Sequence, residues 1–451
     1  MAKRSLIPVL AMLLAANAQA ATFTVDTTTD AVDAAIGDGT CATAGSTCSL
    51  RAAVQEANAD AAADEVVLPA GAFVLDLAGS NEDLSASGDL DVRAALTLRG
   101  AGPVLTTIDG AALDRVLDLH ATAATVTLDG LALANGRITT VLSTSAGIGL
   151  RVATGVVINA TDIDVRDNSA TLAFGGGIGI DNRGCFTGSR VRIVRNIDPA
   201  SPGSADALAG GVSVSGAASC FTLVDSEISD NVGDQAGAFF ATGGAPITLR
   251  RSLVSGNFAR FAGAFELNMG NEVLLEDTTI SGNRGNPGAA LVDGGANFRL
   301  RNCTVTGNRA AQSSTSIGGI LDVHGGFGRT FLTNTILAGN GPGTQSDDCR
   351  ILRSEGGGNI IGSTAGCNAS LQPTDIVNVS AALGALADNG GPTRTHLPGA
   401  IAIDAAVEGA CTATDQRGNP RPQDGNGDGT ARCDIGAVET GEGVLFANGF
   451  E

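Results

Sequence analysis

Seven times in the middle of the chain a short run of alternating apolar and polar residues stops at an asparagine: Asn168, Asn196, Asn231, Asn257, Asn283, Asn308 and Asn340. The copies "SLVSGN", "TTISGN" and "CTVTGN" set successive asparagines 26, 26 and 25 residues apart from Asn231 to Asn308. Three residues before each asparagine stands an aliphatic side chain: Val165, Ile193, Ile228, Val254, Ile280, Val305 and Leu337. Five before it the residue is small or β-branched, from Ile163 to Thr335, and charge enters only on the position between, as at Asp164, Arg192 and Glu227. A period of two inside a longer repeat predicts parallel strands stacked coil on coil, with the aliphatic column inward.

Asparagine tolerates left-handed backbone, and its amide can bond to the same amide one coil away. The column is therefore expected to be both turn and ladder. Glycine-bearing runs such as "GGGIGI" and "AGAFEL" lead into the next strand, and a third run such as "VLLEDT" closes the coil. Three short strands per coil with right-handed crossovers predict an all-β, right-handed parallel β-helix. A fainter copy places Asn135 on the same column, while "DPASPGSADA" and residues 310–316 read as loops leaving the stack. Roughly nine coils at ~4.8 Å each make a rod on the order of 40 Å long.

The ends break the pattern. Residues 1–20 carry Lys3 and Arg4, an apolar run and "ANAQA", which together read as a secretory signal peptide. Residues 21–92 form an N-terminal cap. Within it "CSLRAAVQEANAD" reads as a short helix capped by Ser49, with Leu50, Ala53, Val54 and Ala57 turned onto the first coil. The repeats occupy residues 93–370, a second cap residues 371–440 and a tail residues 441–451.

Composition narrows the function classes. A formal charge of −20 argues against nucleic acid and anionic membrane as partners. No stretch after the leader is long and apolar enough for a transmembrane helix. The absence of Trp and Tyr argues against a sugar cleft built on amphipathic rings. All nine cysteines follow the leader, where disulfides are expected. Cys41 pairs naturally with Cys48, Cys349 with Cys367 and Cys411 with Cys433. Cys185 and Cys220 each stand eleven positions before a ladder asparagine, so the repeat stacks them. Cys303 is left as a buried thiol.

"CSLRAAVQEANA" resembles the N-terminal module of bacterial surface proteins known by a Cys-Ser-Leu-Arg-Glu-Ala signature, with Ala52 here in place of Glu. "GGPTRTHLPGAIAIDAA" and "DQRGNPRPQDGNGDGTARCDIGAVE" resemble their choice-of-anchor Q region. The Gly-Gly-aliphatic triplets, with Phe265 to Asn268 and Phe331 to Asn334, are similar to polymorphic outer-membrane protein repeats. The resemblance implies a secreted or surface-displayed β-helix. No run of amphipathic strands for a transporter barrel follows, and no sortase-like signal.

Asp424, Asn426, Asp428 and Gly429 form a D-x-N-x-D-G turn whose oxygens suit calcium, with Asp434 or Glu439 as a further ligand. The twelfth position of an EF-hand loop is Ile435, so this is not an EF-hand. Arg417 and Arg421 are expected to pair with Asp415, Asp434 or Glu439. Asp404 and Arg51 are read as structural in the same way. Pectate lyases and polygalacturonases share the expected fold, yet the Asp347–Asp348 doublet follows His324 rather than preceding it, and no Arg-Ile-Lys comes after. His120, His324 and His396 read as scattered surface or turn residues. The sequence thus points to an exported β-helical scaffold that binds a protein or glycan partner without catalysis. The alternative is a carbohydrate-active enzyme acting on acidic polysaccharide.

Overall fold

Each repeat is one coil. From Phe239–Thr242 the chain passes through Pro246–Arg250, Leu253–Ser255 and Phe258–Ala259 to Phe265–Asn268, which pairs in parallel with the strand where the coil began. The computed structural model describes residues 19–441 apart from 61, 81, 139–146, 171–174, 199–208, 269, 287, 289, 311–316, 323–328 and 342–347. The leader, the two loops and the tail read from the sequence lie wholly or largely outside those residues. The described coils build a nine-stranded sheet, a four-stranded sheet and a long sheet whose two strand columns meet at a corner. The whole is a right-handed parallel β-helix.

Register follows the repeat. Ile228 lies opposite Val254, Val254 opposite Ile280 and Ile280 opposite Val305, all fully buried. Stacked phenylalanines fill the middle of the core. Phe186, Phe221, Phe239, Phe265 and Phe298 follow one another with ring centroids 5.3, 5.0, 6.0 and 6.3 Å apart.

The asparagine ladder runs from Asn168 to Asn340. Each Nδ2 donates to the next asparagine's Oδ1 at 2.8–3.0 Å. From Asn196 onward each Nδ2 also donates to a carbonyl of the preceding coil, as Asn257 does to Ile228 O at 2.9 Å. The backbone N–H of each asparagine bonds the next Oδ1 as well. These asparagines are not the left-handed residues of the turn. That conformation belongs to the residue before each: Asp167, Arg195, Asp230, Gly256, Gly282, Gly307 and Gly339 have φ between 56° and 75°. Asn135 belongs to that preceding column (φ 58°), and Gly136 takes the ladder position, donating its N–H to Asn168 Oδ1 at 2.8 Å. At the other corner, five before each asparagine, hydroxyls do similar work: Ser226, Ser252 and Thr278 accept backbone N–H groups of Val191, Ser226 and Ser252.

The helix spans Leu50–Ala59 with Ser49 as its cap, accepting from Ala52 N. Leu50, Ala53, Val54 and Ala57 are buried in the main core. The polar residues of the same motif hold the cap in place. Arg51 is fully buried and spends all five N–H groups: two on Asp30 at 2.7 and 2.9 Å, and one each on the carbonyls of Ser85, Gly88 and Asp89. Glu56 accepts from Gly37 N and Gly39 N, Gln55 from Asp33 N, and Asn58 from Arg93 N.

The C-terminal segment does not simply close the far end. After the last strands, Asn368–Ser370 and Ile376–Val377, it returns along the outside of the long sheet. His396 bonds Ser281 at 2.8 Å, Gln416 Thr279 at 2.6 Å, Ala437 N Thr304 at 3.0 Å and Val407 N Asn334 at 2.8 Å. It thereby buries Leu253, Thr279, Thr304 and Ile336, the positions four before the asparagines. This explains why charge vanishes from that column after Glu227.

Replacing Asn257 by Ala removes one rung and strands its buried partners. We expect a loss of about 3 kcal/mol, read as a lower urea midpoint, whereas Asn135→Gly, at an exposed left-handed position, should change stability by less than about 0.5 kcal/mol.

Candidate functional site

The residue after each of four ladder asparagines, Asn231, Asn257, Asn283 and Asn308, starts a strand of the four-stranded sheet, and its side chain points out. In coil order this column holds Val232, Phe258, Arg284 and Arg309, paired strand to strand, with Gly233, Ala259, Gly285 and Ala310 as the inward partners. Phe258 is 48% exposed, and both arginines are exposed. Arg260 and Phe261 from one following loop, Asp234 and Gln235 from another, and Asn286 wall the column into a groove of about 900 Å³. Arg260 pairs with Asp234 at 3.1 Å. Neither the Arg284 nor the Arg309 guanidinium has an ion-pair or hydrogen-bond partner among the described residues. In a chain of formal charge −20 the groove is a local cationic surface.

Beside it stands a carboxyl the sequence reading passed over. Glu266 occupies the outward position of Phe265–Asn268, is 8% exposed, and leaves Oε2 buried without a hydrogen bond. Burial, reinforced by the nearby charge of Asp234, pushes its pKa up to about 7. It can therefore hold a proton at neutral pH. Phe258, one position after Asn257, belongs to the repeat, whereas Glu266, nine after it, stands alone inside "AGAFEL", a run that reads only as the entry to the next strand.

A second polar cluster lies at the N-terminal end of the nine-stranded sheet. Asp91, Asp118 and Arg151 are stacked outward residues of Leu90–Val92, Leu117–Leu119 and Leu150–Val152. Arg115 bonds Asp118 at 2.6 Å and approaches Asp89 at 3.4 Å, while Arg151 bridges Asp118 and Asp181 at 2.9 and 3.2 Å. His120 bonds Asp91 at 2.8 Å, which raises the imidazole pKa, and burial raises those of Asp89 and Asp91. Ligand atoms of Asp89, Asp91 and Asp118, and of Asp83, Asp91 and His120, lie within 4.8 Å of one another. Asp89, Asp91 and Asp118 are buried while His120, Arg151 and Asp181 stay partly exposed, and the arginines tie four coils together. The sequence reading had not noticed a column carrying both carboxylates and an arginine, because each strand contributes only three residues.

The residues named from the sequence are placed as follows. Asp424, Asn426 and Asp428 share one turn. Asp424 accepts the N–H groups of Gly427, Asp428 and Gly429, Asn426 that of Asp428, and Asp428 that of Thr430. Asp434 is not with them. It is fully buried, with Oδ1 accepting from Asp404 N and Oδ2 from Thr440 N and Oγ1, because its disulfide neighbour Cys433 draws it inward. Glu439 is also inside, 2.9 Å from Arg421, and burial pushes it up to about 7. Arg417 pairs with Asp415 at 2.9 Å. Cys41–Cys48, Cys185–Cys220, Cys349–Cys367 and Cys411–Cys433 are disulfides. Cys303 is free and buried, its thiol pushed far above the ordinary range by burial. Asp348 ends the ladder, its Oδ1 accepting Asn340 N and Nδ2 at 2.9 and 3.0 Å. His396 is half-buried and docks the C-terminal segment, its ring bonded to Ser281 and to the carbonyl of Gly384, and burial lowers its pKa. Asp347 and His324 lie outside the described residues.

A family described as "Right handed beta helix region" matches residues 154–336. No curated protein matches the chain. Among solved structures, a crystal structure of pectate lyase Pel9A is similar at 12% identity and TM-score 0.46, over 94% of this chain and 98% of that one.

Glu266 binds its proton more tightly folded than unfolded, so it favours folding below pH 4.5 without loss, and that contribution falls as pH climbs from 4.5 to about 7. Glu266→Gln should flatten this limb, with a gain over the parent of about 3 kcal/mol at pH 8 and little at pH 4. Denaturation midpoints of both proteins across pH 4–8.5 check it.

Proposed function

We propose that this protein is an exported, secreted or surface-displayed β-helical scaffold that engages a partner through its four-stranded side and performs no catalysis there. The observation that carries the reading is the groove over Phe258, Arg284 and Arg309, where exposed rings and unpaired guanidiniums stand on a rigid stack. Rigid, regularly spaced side chains favour recognition because little order remains to be imposed on binding. Four disulfides fit an oxidising compartment. No helix among the described residues is long and apolar enough to cross a membrane. The likeness of the two ends to surface-protein modules supports display outside the cell, in adhesion or a related contact role.

Calcium at the Asp424–Gly429 turn belongs to the same proposal as a structural ligand of the C-terminal segment, now without Asp434. The turn's Asx bonds already draw the three side chains around one bend. With affinity of ~10⁻⁴ to 10⁻³ M, 10 mM calcium should raise the melting midpoint by roughly 1–3 °C. An unchanged midpoint with calcium and with chelator removes the metal.

A second reading is favoured by Glu266. A carboxyl able to stay protonated at pH 7, with Asp234 close by and a groove alongside, is the raw material of a glycosidase acting on acidic polysaccharide. Reducing-end and unsaturated-product assays on pectate, polygalacturonate and other acidic glycans separate the two. The scaffold reading expects no product above blank, and turnover abolished by Glu266→Gln would replace it with the enzyme.

A further inference from the structure

We propose that the column Phe258, Arg284, Arg309 is a binding track for a polyuronate, a polysaccharide with one carboxylate per sugar, lying parallel to the axis of the solenoid. The assignment rests on the groove being the contact surface and goes further by naming what fills it. Three observations choose the ligand. Arg284 and Arg309, whose guanidiniums have no partner among the described residues, occupy the same position in adjacent coils, so their backbones stand at the spacing of parallel strands, about 4.8 Å. An extended hexuronate chain turns successive carboxylates to different sides, and two long arginine side chains rooted one strand apart can reach a carboxylate on one residue and another on a nearby residue.

The groups are also of the right kind. Lys3 is the single lysine, so every other side chain of fixed positive charge in this protein is an arginine. The planar guanidinium takes a carboxylate through two parallel hydrogen bonds, which a compact ammonium does not. One coil upstream on the same column, Phe258 offers an exposed ring to the C–H face of a sugar, and Phe261 stands beside it. The strand backbone at Ala259, Gly285 and Ala310, whose own positions face inward, lines the bottom of the groove between those outward side chains. A flat, narrow track on a stiff stack suits a stiff linear chain better than a folded partner.

Isothermal titration of the full protein with oligogalacturonate at low salt tests this. Binding is expected, and Arg284→Gln and Arg309→Gln should each weaken it about tenfold, the loss of one charge-assisted contact. Phe258→Ala should weaken it about fivefold. A fully methyl-esterified oligomer should bind at least as weakly as the double arginine variant. All three side chains are exposed, and unchanged melting curves will show that the variants fold. Absence of binding at about 1 mM ligand overturns the proposal, as does binding that the double variant leaves intact, or equal affinity for poly-glutamate of matched charge. Each of those results leaves the scaffold reading standing. Turnover of the bound oligomer would instead overturn the non-catalytic reading and keep the ligand.

Discussion

One corner of every coil carries a buried backbone N–H with no partner in its own coil, and the asparagine column exists to satisfy it. Asn196 N, for example, donates to Asn231 Oδ1 in the next coil at 2.9 Å. A buried donor left unpaired costs on the order of 1–3 kcal/mol, so a single repeat is not merely small but incomplete. Each coil is finished only by its neighbour, which makes stability a property of the stack. The column must therefore be terminated rather than just stopped. Gly136 N starts it upstream. Downstream Asp348 ends it, because a carboxylate accepts both Asn340 donors and Ser363 N yet has no hydrogen to pass on.

With the interior settled by stacking, function is left to whichever outer face stays uncovered. The N-terminal module closes the first coil through the five bonds of Arg51. The C-terminal segment covers the second column of the long sheet, where Arg421, wholly buried, reaches Glu439 at 2.9 Å and Asp277 at 3.7 Å. In the cluster around Asp91 and Asp118 the buried carboxylates already have partners, Asp118 in Arg115 and Arg151 and Asp91 in His120. Among the described residues, the four-stranded side presents an exposed ring and guanidiniums without partners over a groove. The conspicuous motifs of the sequence thus turn out to be clamps, and the surface with chemistry to spare lies in the plain residues after each asparagine.

Stacking also explains what could be read in advance. The inward columns, the ladder and the Cys185–Cys220 pairing repeat with the coil, so a period in sequence becomes contact in space. The helix over Leu50–Ala59 was legible from its cap and apolar face. The docking of residues 379–441 was not. Contacts such as Gln416 to Thr279 join positions 137 residues apart, and nothing periodic announces them. The left-handed residue was misplaced by one because asparagine is suited both to that conformation and to the ladder. Burial decided the matter, since the amide must face inward to be bonded. Asp434 was assigned to calcium by spacing, whereas its disulfide neighbour and Thr440 draw it away from the turn. Glu266 was invisible because its neighbours in the column are apolar or small, and a lone carboxyl has no repeat to mark it.

The groove's electrostatics run against those of the whole molecule. A net charge of −20 repels an anion at long range, but at 0.1 M salt that field is screened beyond about 10 Å. What an approaching carboxylate meets at contact is Arg284 and Arg309, held side by side without counter-charges of their own. Two like charges rooted in adjacent strands oppose each other, by about 1 kcal/mol when about 5 Å apart in water, and their long side chains splay to reduce this. A ligand that places one negative charge against each relieves that repulsion as well as gaining two ion pairs, whereas a single carboxylate relieves only half the strain. The arrangement therefore favours a ligand carrying more than one negative charge over a single carboxylate. That is the property a regular stack is suited to supply.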